Sequence, residues 1–240
     1  MSENIKDVYR RIGHAAMRSG RGPGEVKLIA VTKGVSASVM REALELGLRD
    51  FGENRIQEFR EKRESLMRGV VLFSAEEPAG YRVRWHLIGH LQKNKSKVAV
   101  EFFDLVHSVD SVEIAGQINK HAANNGKIQD VLVQVKLSDE ESKYGILKED
   151  LLDVLYALEG MNNLRVDGLM TIPPFFDDPE KVRPYFRELR EVRDRAKAKG
   201  FTLRELSMGM SHDFEVAIEE GATMVRVGTA IFGERKKEAA

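Results

Sequence analysis

A chain of 240 residues with 42% hydrophobic and 32% charged residues holds enough apolar material for a sizeable core, and Lys plus Arg balance Asp plus Glu at 38 each, so no net field draws it to nucleic acid or a membrane surface. It contains no cysteine, which excludes disulfides, thiol nucleophiles and cysteine-ligated metals. Charges run through the first twenty residues with no apolar signal segment, and no apolar run approaches the roughly 18 residues of a membrane span; a cytoplasmic protein with a single domain over residues 1–240 is expected.

Residues 2–18 carry Ile5, Val8, Ile12 and Ala15/Ala16 at helical spacing. Ser19-Gly20-Arg21-Gly22-Pro23-Gly24 ends that pattern. These glycines precede a strand, whereas phosphate-binding loops follow one, so the run reads as a linker. From Val26 onward strands and helices alternate. The spacing predicts strands at 26–32, 50–53, 84–89, 104–109, 130–136, 164–171, 205–210 and 224–229, and helices near 37–46, 54–67, 92–101, 111–125, 148–159, 179–198 and 213–220. Eight strands separated by helices predict an α/β fold, a parallel sheet closed as a (β/α)8 TIM barrel. A doubly wound open sheet is the alternative, and it would leave two strand edges to cover. The pattern is least regular over 69–83, where Gly69-Val70-Val71-Leu72-Phe73 reads as a short strand before a Glu-Glu-Pro loop.

Barrels place their sites at the carboxyl ends of strands. Lys33 follows the first strand, either pointing into the mouth or reaching solvent. Asn54 follows Phe51-Gly52-Glu53 at the second strand's end, where it can donate and accept. His86 lies within the apolar run Trp85-His86-Leu87-Ile88-Gly89, as a satisfied core residue or a pocket wall, and no other histidine stands at metal-ligand spacing from it. Met170 closes the sixth strand. Near the carboxyl terminus, Ser211, Gly228 and Thr229 offer two hydroxyls and a place of close backbone approach, suited to a phosphate group; a serine N-cap beside a Gly-Thr turn is the plainer alternative. Arg226 occupies a strand position where a guanidinium is costly without a planar acceptor or a carboxylate. The lysines around Asn94 and the tail Arg235-Lys236-Lys237 read as solvated faces.

The motifs in order are Lys33 after a strand, Gly52-Glu53-Asn54, Trp85-His86-Leu87-Ile88-Gly89 with Leu91-Gln92-Lys93-Asn94-Lys95, Leu206-Ser207-Met208-Gly209-Met210-Ser211 and Val225-Arg226-Val227-Gly228-Thr229-Ala230-Ile231-Phe232-Gly233. Together they resemble the pyridoxal phosphate homeostasis protein family over nearly the whole chain, and that family is similar to the barrel domain of alanine racemase. The resemblance implies pyridoxal 5′-phosphate as cofactor, joined to Lys33 as an aldimine. It implies that Ser211, Gly228 and Thr229 hold the phosphate, that Arg226 faces the pyridine nitrogen, and that Asn54, His86 and Met170 line the ring pocket. His90 stands where many members have proline.

A guanidinium can only donate, so the pyridine nitrogen opposite it stays unprotonated and the ring is a poor electron sink. The resemblance therefore implies a non-catalytic monomer active in cofactor supply, with pyridoxal-phosphate-dependent apoenzymes as partners. One rival is an amino-acid racemase, which needs an acid or base on each face of the substrate carbon. Of five tyrosines, only Tyr144 follows a strand on the functional face, while Tyr81 falls in the irregular stretch. Another rival is a barrel enzyme acting on a phosphorylated metabolite without a covalent cofactor.

Overall fold

The computed structural model describes residues 1–67, 82–138, 140 and 144–234. Eight parallel strands form the barrel: β1 (Lys27–Val31), β2 (Asp50–Glu53), β3 (Arg84–Leu87), β4 (Leu105–Val109), β5 (Gln129–Lys136), β6 (Leu164–Met170), β7 (Glu205–Met210) and β8 (Met224–Val227). Each strand pairs with its neighbour in the chain, and β8 pairs with β1, so the sheet closes. Closure removes the open edges of the alternative arrangement. A two-residue strand, Ile146–Leu147, adds to the end of β5.

The helices are α1 (Ser2–Arg18), α2 (Ala37–Glu45), α3 (Ile56–Met67), α4 (Ser96–Phe102), α5 (Val112–Asn124), α6 (Leu151–Glu159), α7 (Arg183–Ala198), α8 (Phe214–Glu219) and α9 (Thr229–Phe232). Ser36 caps α2 by accepting from the Val39 amide. α1 buries its predicted stripe, and Arg11 ties it to α8 through Glu215 at 2.7 Å and the face of Phe214 at 4.6 Å.

Because both faces of a barrel sheet are covered, the strands read as near-continuous apolar runs. Alternation still decides the destination of each side chain. On β1, Leu28 and Ala30 join the large core under the helices, while Ile29 joins a separate small cluster with Leu105, Leu132, Met170 and Met224. Aromatic packing anchors the helix layer at β2 and β3, with Phe59 edge-on to Trp85 at 4.9 Å and 4.5 Å from Phe103.

Several boundaries differ from the sequence reading. β3 stops at Leu87 rather than 89, and a 3-10 turn over Lys93–Lys95 precedes α4. The sixth helix starts at Leu151 rather than near 148, since residues 148–150 form a turn after the short strand Ile146–Leu147. β8 ends at Val227, and Thr229, expected within the strand, opens α9. The short strand expected near 69–73, Tyr81 and the tail Arg235-Lys236-Lys237 lie outside the described residues. No described helix is long and apolar enough to cross a membrane.

Candidate functional site

The carboxyl ends of β1, β2, β7 and β8 are adjacent, and most of the chemistry-bearing side chains gather there. Lys33 lies two residues beyond β1, half-buried. The β1–β8 register, Ala30 opposite Val227, sets Gly228 beside Val31, and a Cβ on Gly228 would come within 3.3 Å of the Val31 carbonyl oxygen. On the other side Val31 pairs with Gly52, which brings Asn54 level with Lys33. Asn54 is pressed onto the loop after β3, where a Cβ on Gly89 would fall 2.2 Å from its carbonyl oxygen. Only glycine fits that approach.

The loop carrying Lys33 is held from outside the barrel. Lys62 on α3, buried, donates to the Thr32 carbonyl, to Glu53 at 2.9 Å and to Glu58 at 2.6 Å. The Thr32 hydroxyl donates to Glu53 at 2.6 Å, and the Gly34 amide donates to Glu58. Lys33 is thus flanked on both sides by backbone tied to one ion cluster. Burial pushes the Glu53 carboxyl up against the hydrogen bonds from Thr32 and Lys62. Its Oε2 is buried with no hydrogen-bond partner among the described residues. Burial also opposes the charge on Glu58, but Lys62 and the Gly34 amide carry its pKa below the usual range.

At the ends of β7 and β8 the chain builds a cup. The β7–β8 register advances three residues on β7, Ser207 to Met210, against two on β8, Met224 to Arg226, so β7 carries a bulge. Gly209 sits in it at φ +90°, packed so tightly that a Cβ would come 2.5 Å from Ala217 Cβ. Beyond the bulge, Ser211 Oγ accepts from the amides of Gly228 at 3.1 Å and Ala230 at 3.3 Å. The Thr229 hydroxyl stands on the exposed first residue of α9. The two amides orient Ser211, whose own hydrogen is not used in those bonds, and with the Thr229 hydroxyl it offers donors suited to an anion.

Arg226 forms the floor. It is buried, donating to Ser207 Oγ at 2.7 Å and to the Thr171 carbonyl at 2.8 Å. Burial lowers its pKa to about 10, with Asp213 working in the opposite direction, so it remains a cation at neutral pH. Ser207 Oγ also lies 2.9 Å from His107 Nδ1, His107 Nε2 lies 3.0 Å from His86 Nδ1, and His86 Nε2 lies 2.9 Å from Asp50 Oδ1. Arg84 donates to the other Asp50 oxygen at 2.6 Å. Burial drives the His107 pKa well below the usual histidine value, and the cations Arg226 and Lys27 add to that. Burial would raise Asp50, yet His86 and Arg84 outweigh it and hold the carboxyl below its ordinary range.

The structure therefore collects Lys33, Asn54, Ser211, Gly228 and Thr229 at the rim, with Arg226 beneath them. His86 is placed inside the barrel, between Asp50 and His107. Met170 is fully buried in the small interior cluster. His90, at the position where proline is common, pairs with Asp110 at 3.0 Å and stacks on Tyr144, ring centres 3.6 Å apart. Sequence reasoning missed Asp50, His107 and Ser207, and it missed Lys62 and Glu58. The i,i+4 spacing of Glu58 and Lys62 is a helix-surface signal, and nothing in it marks the lysine as buried.

A sequence profile for the alanine racemase N-terminal domain matches residues 4–236. The chain is 47% identical over 236 residues to the pyridoxal phosphate homeostasis protein of Aquifex aeolicus, covering 98% of each, and 41% identical to that of Pseudomonas aeruginosa, covering 98% of this chain and 96% of the relative. Among solved structures it is similar to PipY of Synechococcus elongatus with PLP bound, at TM-score 0.78 and 37% identity, covering 94% of this chain and 100% of the other. A protein of Bifidobacterium adolescentis described as unknown superposes at TM-score 0.86 and 38% identity, covering 96% and 94%. Alanine racemase of Clostridium difficile shares the barrel at TM-score 0.69 with 15% identity, this chain covering 58% of it, which is a likeness of fold.

Proposed function

We propose a function from one premise: the chain belongs to the pyridoxal phosphate homeostasis protein family, which shares the alanine racemase N-terminal domain fold. It binds pyridoxal 5′-phosphate and acts in its intracellular supply. The residues fit that group. Ser211 Oγ already receives the Gly228 and Ala230 amides, its own hydrogen is not used in those two bonds, and the Thr229 hydroxyl stands beside them. These donors hold the phosphate dianion. Lys33, beyond the strand that neighbours β8, would supply the amine that holds the cofactor at its aldehyde. Asn54 orients the ring at the rim. Arg226 would face the pyridine nitrogen as a donor and keep it an acceptor. His86 and Met170 act from within the barrel, as support for that floor.

When bound, the cofactor supplies an electron-accepting ring, and Arg226 weakens that capacity. The reading is accordingly a cytoplasmic monomeric carrier that yields cofactor to apoenzymes rather than a racemase. The observation that carries the binding site is the convergence of the Ser211 cup and Lys33 on neighbouring strand ends above a buried guanidinium. Mixing purified protein with pyridoxal phosphate is expected to give a band at the visible edge, and borohydride should fix the cofactor on the peptide holding Lys33. Fixation on another lysine, or an unchanged band in Lys33→Ala, would overturn the assignment. Incubating the loaded protein with L- and D-amino acids in deuterated water tests the carrier reading. Enzyme-like α-proton exchange, lost in Lys33→Ala, would replace it with the racemase.

A further inference from the structure

Resting on the reading of Arg226 as the floor of the cofactor site, we infer that Ser207, His107 and His86 are positioning residues that hold this guanidinium through a one-way hydrogen-bond chain anchored on Asp50, at the far end of the barrel.

The direction of the chain follows from its ends. A guanidinium has no lone pair to offer, so the 2.7 Å contact is a donation from Arg226 to Ser207 Oγ. The serine hydroxyl has one hydrogen, and the bare acceptor facing it is His107 Nδ1 at 2.9 Å. With Nδ1 accepting, the proton of neutral His107 sits on Nε2, which donates to His86 Nδ1 at 3.0 Å. His86 is forced into the same tautomer, and its Nε2–H donates to Asp50 Oδ1 at 2.9 Å. The Asp50 carboxylate, which also accepts from Arg84, is the terminus. Each link holds one hydrogen, and all point toward Asp50.

Such a chain is a lock and not a proton path. Reversing it would require Arg226 to accept a hydrogen, which it cannot do. Adding a proton to His86 would flip His107 as well, and the Ser207 hydrogen would lose its acceptor in a fully buried place, a costly state for a hydroxyl. The charges around the rings oppose that addition at His107: Arg226 on β8 and Lys27 on β1 are both cationic. Facing His86, Asp50 and Arg84 form a matched pair. The lone pair of Ser207 that receives Arg226 is therefore fixed in direction, which sets the rotamer of the guanidinium under the ring.

Ring-nitrogen NMR on cofactor-free protein labelled with 15N-histidine tests the lock independently of the cofactor reading. His86 and His107, assigned from the signals lost in His86→Gln and His107→Gln, are expected to show an unprotonated Nδ1 and a protonated Nε2 at about pH 8, and His107 is expected to keep that form down to about pH 5.5. A protonated Nδ1 on either ring at about pH 8 overturns the inference. The positioning role is read in Ser207→Ala and Ser207→Thr loaded with pyridoxal phosphate carrying 15N in the ring. Ser207→Ala is expected to weaken cofactor binding about tenfold and to shift the pyridine nitrogen resonance, and Ser207→Thr to restore both. An unmoved resonance in Ser207→Ala would sink the positioning role even with the tautomers as expected. Failure of the wild-type protein to bind the cofactor would instead remove the floor reading, with the tautomers deciding the lock by themselves.

Discussion

Two carboxylates on the four residues of β2 are both buried, three positions apart, and they fare differently. Asp50 points into the barrel and receives hydrogen bonds from His86 and Arg84 on its two oxygens. Its pKa falls in spite of burial. Glu53 points outward against α3, where Thr32 and Lys62 both contact Oε1 and Oε2 is left without a partner. Its pKa rises. Burial alone thus does not set ionisation; the number of donors per oxygen does. Each carboxylate terminates a network that reaches the mouth, the inner one through Arg226 and the outer one through the backbone on either side of Lys33.

The outer network is the one to break first. Removing the charge in Lys62→Met strands Glu53 and Glu58 beside each other, and loss of one partner from a buried ion cluster costs about 3–5 kcal/mol. Denaturant unfolding is expected to show that loss, together with poorer cofactor retention as the Lys33 loop loosens. Adding Glu53→Gln to Lys62→Met should recover part of the stability. A single variant as stable as the parent would mean that the ammonium does not organise this layer.

Ser211 is held by the Gly228 and Ala230 amides rather than by either network, so its variants separate binding from support. Ser211→Ala and Thr229→Val are each expected to weaken cofactor binding by roughly ten- to a hundredfold, since hydrogen bonds to a charged group contribute about 1.5–3 kcal/mol. The unfolding midpoint should stay close to the parent for Thr229→Val and fall modestly for Ser211→Ala, which leaves the Gly228 and Ala230 amides without their acceptor. Pyridoxal without its phosphate should bind worse than pyridoxal phosphate binds either variant; equal affinity for the two forms would move the phosphate site elsewhere.

The same division marks what the sequence could disclose. Strand and helix alternation predicts the barrel, since buried apolar runs and caps such as Ser36 are local signals. Rim residues are legible too, because a chain leaving a strand exposes its polar side chains at a known face. The inner chain is not legible in this way. Asp50, His86, His107 and Ser207 lie in four separate strands, and only the register and the bulge at Gly209 bring them into line. Lys62 defeats the ordinary expectation that a helix lysine faces water. The end of β8 also eluded the pattern, since Val-Gly-Thr fits a strand as well as the turn into α9.

The pH dependence of stability compares the two carboxylates directly. Asp50 has a folded pKa below its unfolded value of about 3.9, so its contribution is complete above that value and is lost as the pH falls through the folded one. Glu53 has the opposite sign. Its folded form keeps the proton longer, so native stability declines as pH rises from about 4.3 through the raised value. One proton changes the slope by at most about 1.4 kcal/mol per pH unit. Asp50→Asn is expected to flatten the acid limb below about pH 4, and Glu53→Gln to remove a fall on the other side. If both substitutions moved the limb in the same direction, the contrast between the two faces of β2 would be wrong.

The smallest effect belongs to the rim, where a contact with similar atoms lacks burial. His90 stacks on Tyr144 with ring centres 3.6 Å apart and pairs with Asp110 at 3.0 Å, a ring–ring contact and a histidine–carboxylate pair like those inside the barrel. Tyr144 is more than half exposed and His90 is itself solvent-facing, so water competes for both rings. Aromatic pairing of this kind contributes about 0.5–1.5 kcal/mol, and a histidine–carboxylate contact at the surface adds from nothing to about 1 kcal/mol. His90→Ala is therefore expected to lower stability by about 1 kcal/mol or less, several times less than Lys62→Met. The contrast is chemical as well as numerical. Replacing His86 leaves a buried partner on each side, whereas Tyr144, the ring stacked on His90, is already open to solvent. A double-mutant cycle on His90 and Tyr144, read by denaturant midpoints, measures the stack alone. A coupling as large as that between Lys62 and Glu53 would show that position in the barrel does not govern what these contacts contribute.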